Sequence, residues 1–212
     1  MPSNPVVSPL LLDLIGVFAF ALSGGLVAVR KRLDLFGVLV LAGATGLGGG
    51  VLRDLLIGIT PPIGISDWRL VATALAAGVV TFVYHPGVER LSRLVKVLDA
   101  VGLALFAVGG ALLALARPGI PPLAAIIVGT ITAVGGGALR DVLVGQVPEV
   151  LRRELYALPA LLGSTIVVVA YYVGFISPLV VWGAAALVFG IRMVAIVLHL
   201  NAPQPFRLGD PR

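Results

Sequence analysis

Gly48-Gly49-Gly50-Val51-Leu52-Arg53-Asp54-Leu55-Leu56-Ile57-Gly58 recurs later in the chain as Gly135-Gly136-Gly137-Ala138-Leu139-Arg140-Asp141-Val142-Leu143-Val144-Gly145. Both copies read G-G-G-x-L-R-D-x-L-x-G, and a proline follows each three residues on, Pro61 and Pro148. Both lie inside long apolar stretches. Glycine in a helix costs roughly 0.5–1 kcal/mol relative to alanine, and an ionised residue at mid-membrane costs roughly 2.5–3.5 kcal/mol on insertion scales. A chain that carries this burden twice, at matching positions, is built around it.

The surrounding composition sets the solvent. The chain has 212 residues, 59% hydrophobic and 12% charged, with a mean hydropathy of +1.11. A soluble domain of this size lacks the interior to hide that much apolar surface, so the fold class is an all-α integral membrane protein. The absence of cysteine excludes disulfides, iron–sulfur clusters and thiolate metal sites. His85 and His199 stand far apart near segment ends, as interfacial side chains rather than metal ligands. A net charge of +5 would suggest nucleic acid in a soluble protein. Here the basic residues fall in short loops between apolar runs, which indicates membrane orientation and no nucleic-acid partner.

Seven apolar segments follow, at about 9–29, 35–59, 67–85, 95–116, 121–146, 155–174 and 178–199. They form one transmembrane domain over residues 1–212, with a flexible proline-rich tail at 201–212 and a basic linker at 86–96. Residues 1–8 lack the basic start of a signal peptide. Ala19-Phe20-Ala21 resembles a cleavage site, but its segment has an equivalent later in the chain, so we expect a retained first helix. Arg30, Lys31, Arg32, Arg90, Arg93, Lys96, Arg152, Arg153, Arg207 and Arg212 fall on one side; only Arg69 and Arg117 fall on the other. The positive-inside rule then puts the N-terminus outside and the C-terminus in the cytoplasm.

The duplication extends beyond the glycine phrase. Leu12-Asp13-Leu14-Ile15-Gly16 matches Leu98-Asp99-Ala100-Val101-Gly102, Ser23-Gly24 falls opposite Gly109-Gly110, and Thr45 opposite Thr132. Repeat one spans about 9–85, repeat two about 95–174, and the seventh helix, about 178–199, is an addition. Three helices per repeat make the second copy cross in the opposite sense, giving an inverted repeat with broken helices near the midplane. The triple glycines are therefore expected to unwind helices two and five and line a path, although small residues also serve close helix packing.

The charged residues leave several arrangements open. Neighbours on a helix point about 100° apart, which favours pairing across the repeats, Arg53 with Asp141 and Arg140 with Asp54, or separate capping of each half-helix. Asp13 and Asp99 each open an apolar helix, where a carboxylate complements the helix N-terminus. Arg192, without a partner in sequence, is expected to snorkel. Thr45 and Thr132 are expected to bond their own helix backbone. No dinucleotide fingerprint, Walker lysine, zincin or serine-hydrolase pattern is present, so no enzyme is expected.

The doubled G-G-G-x-L-R-D-x-L-x-G phrase, the 3+3+1 helices and the outside N-terminus together resemble the prokaryotic trimeric intracellular cation (TRIC) channels, over about residues 9–200. The resemblance implies a homotrimer with one pore per protomer in a prokaryotic plasma membrane, among membrane lipids. It implies passage of monovalent cations, potassium with some sodium, and no cofactor. It also implies that Gly48, Gly49, Gly50, Gly135, Gly136 and Gly137 are pore-lining hinges, with Arg53, Asp54, Arg140 and Asp141 close to the path. The Lys-Glu-Val lipid motif of animal members is absent. Related bacterial sequences are also described as glycine transporters, so the alternative is a secondary transporter of a small zwitterion.

Overall fold

The computed structural model describes residues 7–84, 88–152 and 154–198. The tail at 201–212, His85 and His199 lie outside the described residues. All regular structure among the described residues is helical: α1 Pro9–Arg30, α2 Leu35–Leu56, α3 Ile63–Ser66, α4 Trp68–Val83, α5 Val88–Leu115, α6 Pro122–Leu143, α7 Glu149–Arg152, α8 Glu154–Tyr172 and α9 Pro178–Val197. Helices α1, α2, α5, α6, α8 and α9 are long and apolar enough to cross a membrane. The remaining apolar helix, α4, has 16 residues and is about 24 Å long, short of a bilayer core of about 30 Å. Part of the expected linker at 86–96 is instead the first turns of α5, since no proline or glycine follows Gly87 to stop a helix there.

Local sequence sets the ends. Pro9, Pro122 and Pro178 occupy the first helical position of α1, α6 and α9, where the missing N–H loses no bond. The Asp34 carboxylate opens α2 by accepting the Gly37 N–H at 2.8 Å. The last glycine of each motif closes its helix. Gly58 and Gly145 have φ of 72° and 69°. Their N–H groups donate to Leu55 and Val142, while Ile59 and Gln146 donate to the carbonyls of Asp54 and Asp141 at 2.8 Å. This doubled Schellman closure holds each motif aspartate two residues before the last residue of its helix.

The packing follows the duplication. Helices α1 and α5 lie against each other, as do α2 and α6, while α4 flanks α1 and α2 of the first repeat as α8 flanks α5 and α6 of the second. Contacts come in reciprocal pairs. Gly16 lies under Phe106 and Gly102 under Phe20, and the two buried rings meet at 5.3 Å between centroids. Helix α9 packs on α5 and α8, so it adds to the second repeat what the first lacks.

Candidate functional site

The expected unwinding at the glycines is not observed. Helices α2 and α6 run without interruption through Gly48-Gly49-Gly50 and Gly135-Gly136-Gly137. The glycines are needed instead for contact between the helices. A methyl group on Gly49 would strike the Thr132 carbonyl oxygen, and one on Gly136 the Thr45 carbonyl oxygen. Gly48 is likewise covered by Leu139, and Gly135 by Leu52. Because 48 and 52 oppose 139 and 135, α2 and α6 cross antiparallel. Each threonine hydroxyl donates to its own helix, Thr45 to Leu41 and Thr132 to Val128, both at 2.6 Å. The same hydroxyls fill the notches left by Gly24 and Gly110. Small residues here let backbones touch, as is general for helices in lipid.

One turn past each crossing glycine stands a buried arginine. The Arg53 guanidinium donates from Nη1 to Asp13 Oδ1 at 2.8 Å, from Nη2 to Asp13 Oδ2 at 3.1 Å, and from Nε to Asp54 Oδ1 at 2.9 Å. The remaining Asp54 oxygen accepts the Ile63 N–H at 2.7 Å, at the start of α3. Arg53 is 1% exposed and Asp54 0%, so these ion pairs lie wholly inside the protein. Fork geometry makes this the strong form of ion pair.

The second arginine repeats the plan with changes. Arg140 Nη1 donates to Asp99 Oδ1 at 2.8 Å and to Ser23 Oγ at 2.6 Å; Nε donates to Asp141 Oδ1 at 2.9 Å. The other Asp141 oxygen accepts the Glu149 N–H at 3.0 Å, at the start of α7. The pairs Arg53–Asp141 and Arg140–Asp54 are not formed, because the antiparallel crossing sends the two arginines to opposite sides of it. Sequence neighbours do pair, since the arginine stem is long enough to fold its Nε back onto the next residue. Asp13 and Asp99 do not cap their helices. Asp13 lies one turn into α1, and Asp99 is in the interior of α5.

Arg192 does not snorkel. It is 2% exposed, sits 4.4 Å above the Tyr156 ring, donates to Glu149 Oε2 at 3.0 Å and approaches the Leu155 carbonyl at 3.5 Å. Pro159, inside α8, cannot donate to that carbonyl four residues back, and the helix departs from helical geometry at Leu155. The proline thus frees the carbonyl that Arg192 approaches. Ser23, Glu149 and Tyr156 were not among the sequence candidates, and Arg192 was singled out only as a snorkelling side chain. The one available signal was a proline and a lone arginine in apolar helices.

Beside the second cluster opens a pocket of about 410 Å³, whose wall includes Arg30, Lys96, Arg140, Asp141, Glu149 and Arg152. The basic ends of α1, α5 and α7 therefore meet at one end of the bundle. No group of histidine, cysteine or carboxylate side chains suited to a metal ion occurs among the described residues.

This arrangement has relatives. A family model described as "Glycine transporter" matches the chain twice, over residues 10–86 and 96–172, following the duplication. A UPF0126 membrane protein of Streptomyces coelicolor is 49% identical over 200 residues, covering 93% of this chain and 91% of its own. The UPF0126 inner membrane protein YadS of Escherichia coli K12 is 40% identical over 195 residues, covering 91% and 93%. Among solved structures, the TRIC trimeric intracellular cation channel orthologue from Rhodobacter sphaeroides superposes with a TM-score of 0.85 at 40% identity, over 91% of this chain and 98% of that one. A structure from work on conductance through TRIC cation channels gives 0.85 at 35%, over 96% and 100%. With the fold, the doubled motif and these likenesses in agreement, the chain belongs to the family that unites the UPF0126 membrane proteins with the prokaryotic TRIC channels.

Proposed function

We propose that this protein is a passive channel for monovalent cations, potassium with some sodium, with one path in each protomer of a homotrimer in a bacterial plasma membrane. The observation that carries the reading is a charge count. Each buried arginine is held by two carboxylates, Arg53 by Asp13 and Asp54, Arg140 by Asp99 and Asp141. Each cluster therefore keeps one negative charge in excess, and the arginines do not cancel the attraction for a cation. A buried excess charge is costly in lipid and is usually functional. The likeness to cation-channel structures supports the same reading and points away from an enzyme.

In this proposal the path passes both clusters, and the Gly49–Thr132 and Gly136–Thr45 contacts close it between them. Opening parts α2 from α6, and the six motif glycines allow the helices to bend as they separate. The topology is seven spans with α4 as the short one. The N-terminus is outside, and the basic pocket faces the cytoplasm, as the clustering of Arg30, Lys96 and Arg152 supports. Recording of purified protein in a planar bilayer under a potassium chloride gradient tests the reading. Discrete openings that reverse near the potassium equilibrium potential are expected, with conductance or selectivity altered by Asp54→Asn and Asp141→Asn. Unchanged currents from both folded variants remove these carboxylates from the path.

The family model's description favours a second reading, a carrier of glycine or a similar zwitterion. Against it, the Nε and both Nη atoms of Arg53 are already spent on carboxylates, leaving no fork for a substrate carboxylate. Accumulation of glycine against its gradient in proteoliposomes, without discrete openings, would replace the channel with the carrier.

A further inference from the structure

The cavity beside the Arg140 cluster is walled by an excess of positive charge. Arg30 lines it from the last residue of α1, Lys96 from α5 and Arg152 from the last residue of α7. Arg140, Asp141 and Glu149 also stand on the wall, but each has its counter-charge. Arg140 holds Asp99 and Asp141, and Glu149 holds Arg192. Arg30, Lys96 and Arg152 make no ion pair among the described residues. Three uncompensated charges from three helices thus share one space of about 410 Å³.

Membrane orientation accounts for the end of the bundle on which these residues lie, but not for their convergence. Lys31, Arg32 and Arg93 lie at the same end and off the cavity wall. The duplication provides an internal comparison. An 86-residue spacing pairs Asp13 with Asp99, and Ile63 with Glu149 at the N–H groups that close the two motif aspartates. At that spacing the three basic residues correspond to Ala116, Leu10 and Ser66, none of which carries charge. At that opposite end Arg69 is paired with Asp67 at 2.6 Å, so among the described residues only Arg117 is left there without an ion pair.

A cation entering between like charges is repelled, and salt screens the repulsion. Three unit charges about 10 Å from the ion lower its local concentration about twofold in 0.15 M salt and about fourfold at about 0.01 M, but hardly at 1 M. Behind them the Arg140 cluster holds two carboxylates against one guanidinium. A basic vestibule and an acidic cluster therefore stand in series on one side of the helix crossing, and the other side has the cluster alone.

We propose that Arg30, Lys96 and Arg152 form a basic mouth that makes cation conduction rectify, the current entering from the cavity side being the smaller at equal and opposite voltages. The proposal deepens the channel reading and rests on it, with the cavity as one mouth of the path. The three side chains act on the ion through their field; they neither close the path nor hold the ion.

The chain has no cysteine, so a single introduced thiol carries the test. Single-channel currents are recorded in symmetrical potassium chloride at about 0.01, 0.15 and 1 M. Where entry limits the current, the unmodified protein is expected to rectify about fourfold, about twofold and hardly at all in that order. Lys96→Cys is expected to rectify less. A thiol reagent bearing a positive group should restore the ratio and one bearing a negative group should lower it further, each only from the side of the smaller current. A packing defect does not follow the sign of the added charge. Arg152→Cys, at an exposed position, serves in the same way if Lys96→Cys does not fold. Lys31→Gln, off the cavity wall, should change the ratio far less than Lys96→Gln. Linear currents from the unmodified protein at every concentration would overturn the mouth and leave the channel. So would equal responses to reagents of either sign, or a Lys31→Gln effect as large as that of Lys96→Gln. Glycine accumulation without discrete openings removes the channel and the mouth together.

Discussion

The first half of the molecule closes its arginine with two carboxylates and a backbone N–H; the second half builds the same closure and then adds to it. Arg53 takes Asp13 with both fork nitrogens, whereas Arg140 takes Asp99 with one and spends a further bond on Ser23. The additions come from α8 and α9. Pro159 frees the Leu155 carbonyl, Arg192 approaches it, and the same guanidinium holds Glu149, whose N–H bonds Asp141. A duplicated sequence therefore does not make two equal sites. The unpaired helix α9 sets them apart, and the half it touches is the one that gains a buried Arg192 against Tyr156 and Glu149.

Each substitution below breaks or sharpens that contrast. The largest effect is expected from removing an arginine, which strands two buried carboxylates. Arg53→Gln should cost about 3–5 kcal/mol, and more than Arg140→Gln, because Arg53 donates to three of its cluster's four carboxylate oxygens and has no second arginine nearby. Unfolding midpoints of the two variants in one detergent check this, and equal losses would erase the distinction between the halves. Next comes Arg192→Gln, which should cost about 1.5–3 kcal/mol as a hydrogen-bonded charge is lost. Hydrogen exchange should quicken in α7 and the start of α8 while α3 keeps its protection. Faster exchange in α3 as well would mean that α9 stabilises both halves.

The corresponding glycines give a finer test. Gly137→Ala drives a methyl into the Tyr156 hydroxyl and should cost about 1–3 kcal/mol. Gly50→Ala meets nothing closer than 3.7 Å and should be neutral or slightly stabilising, since alanine is the better helix former. Denaturant or thermal titration of the pair reports the difference directly. The smallest effects belong to the helix ends, where the halves are alike. Gly58→Ala and Gly145→Ala should each cost about 1 kcal/mol at their positive φ. Matching losses in thermal scans support equivalence there, and a clear inequality would extend the asymmetry to the Schellman closures.

The apolar segments could be read from the sequence to within a few residues of α1, α2, α6, α8 and α9, because hydropathy and proline act locally. So could the duplication, which the doubled family match follows. Arg53, Asp54, Arg140 and Asp141 could be picked out because charge in an apolar helix is conspicuous. Their partners could not. Asp13 lies 40 residues from Arg53, and Asp99 lies 41 from Arg140, and no local period links positions so far apart on different helices. The glycines were ambiguous for a different reason. A bare Cα serves a bend and a close contact equally well, and only the atom opposite it tells which, here the carbonyls of Thr132 and Thr45.

Composition, hydropathy and the repeated phrase were thus sufficient for a helical membrane bundle in two related halves with arginine and aspartate at matching depths. Those properties are sums over neighbouring residues, and the chain carries them whatever its fold. Which carboxylate closes on which arginine, that α2 and α6 stay helical through three glycines, and that Arg192 turns inward onto Tyr156 were decided by packing. Each depends on the few ångströms between helices distant in sequence, and that distance exists only once the bundle has formed.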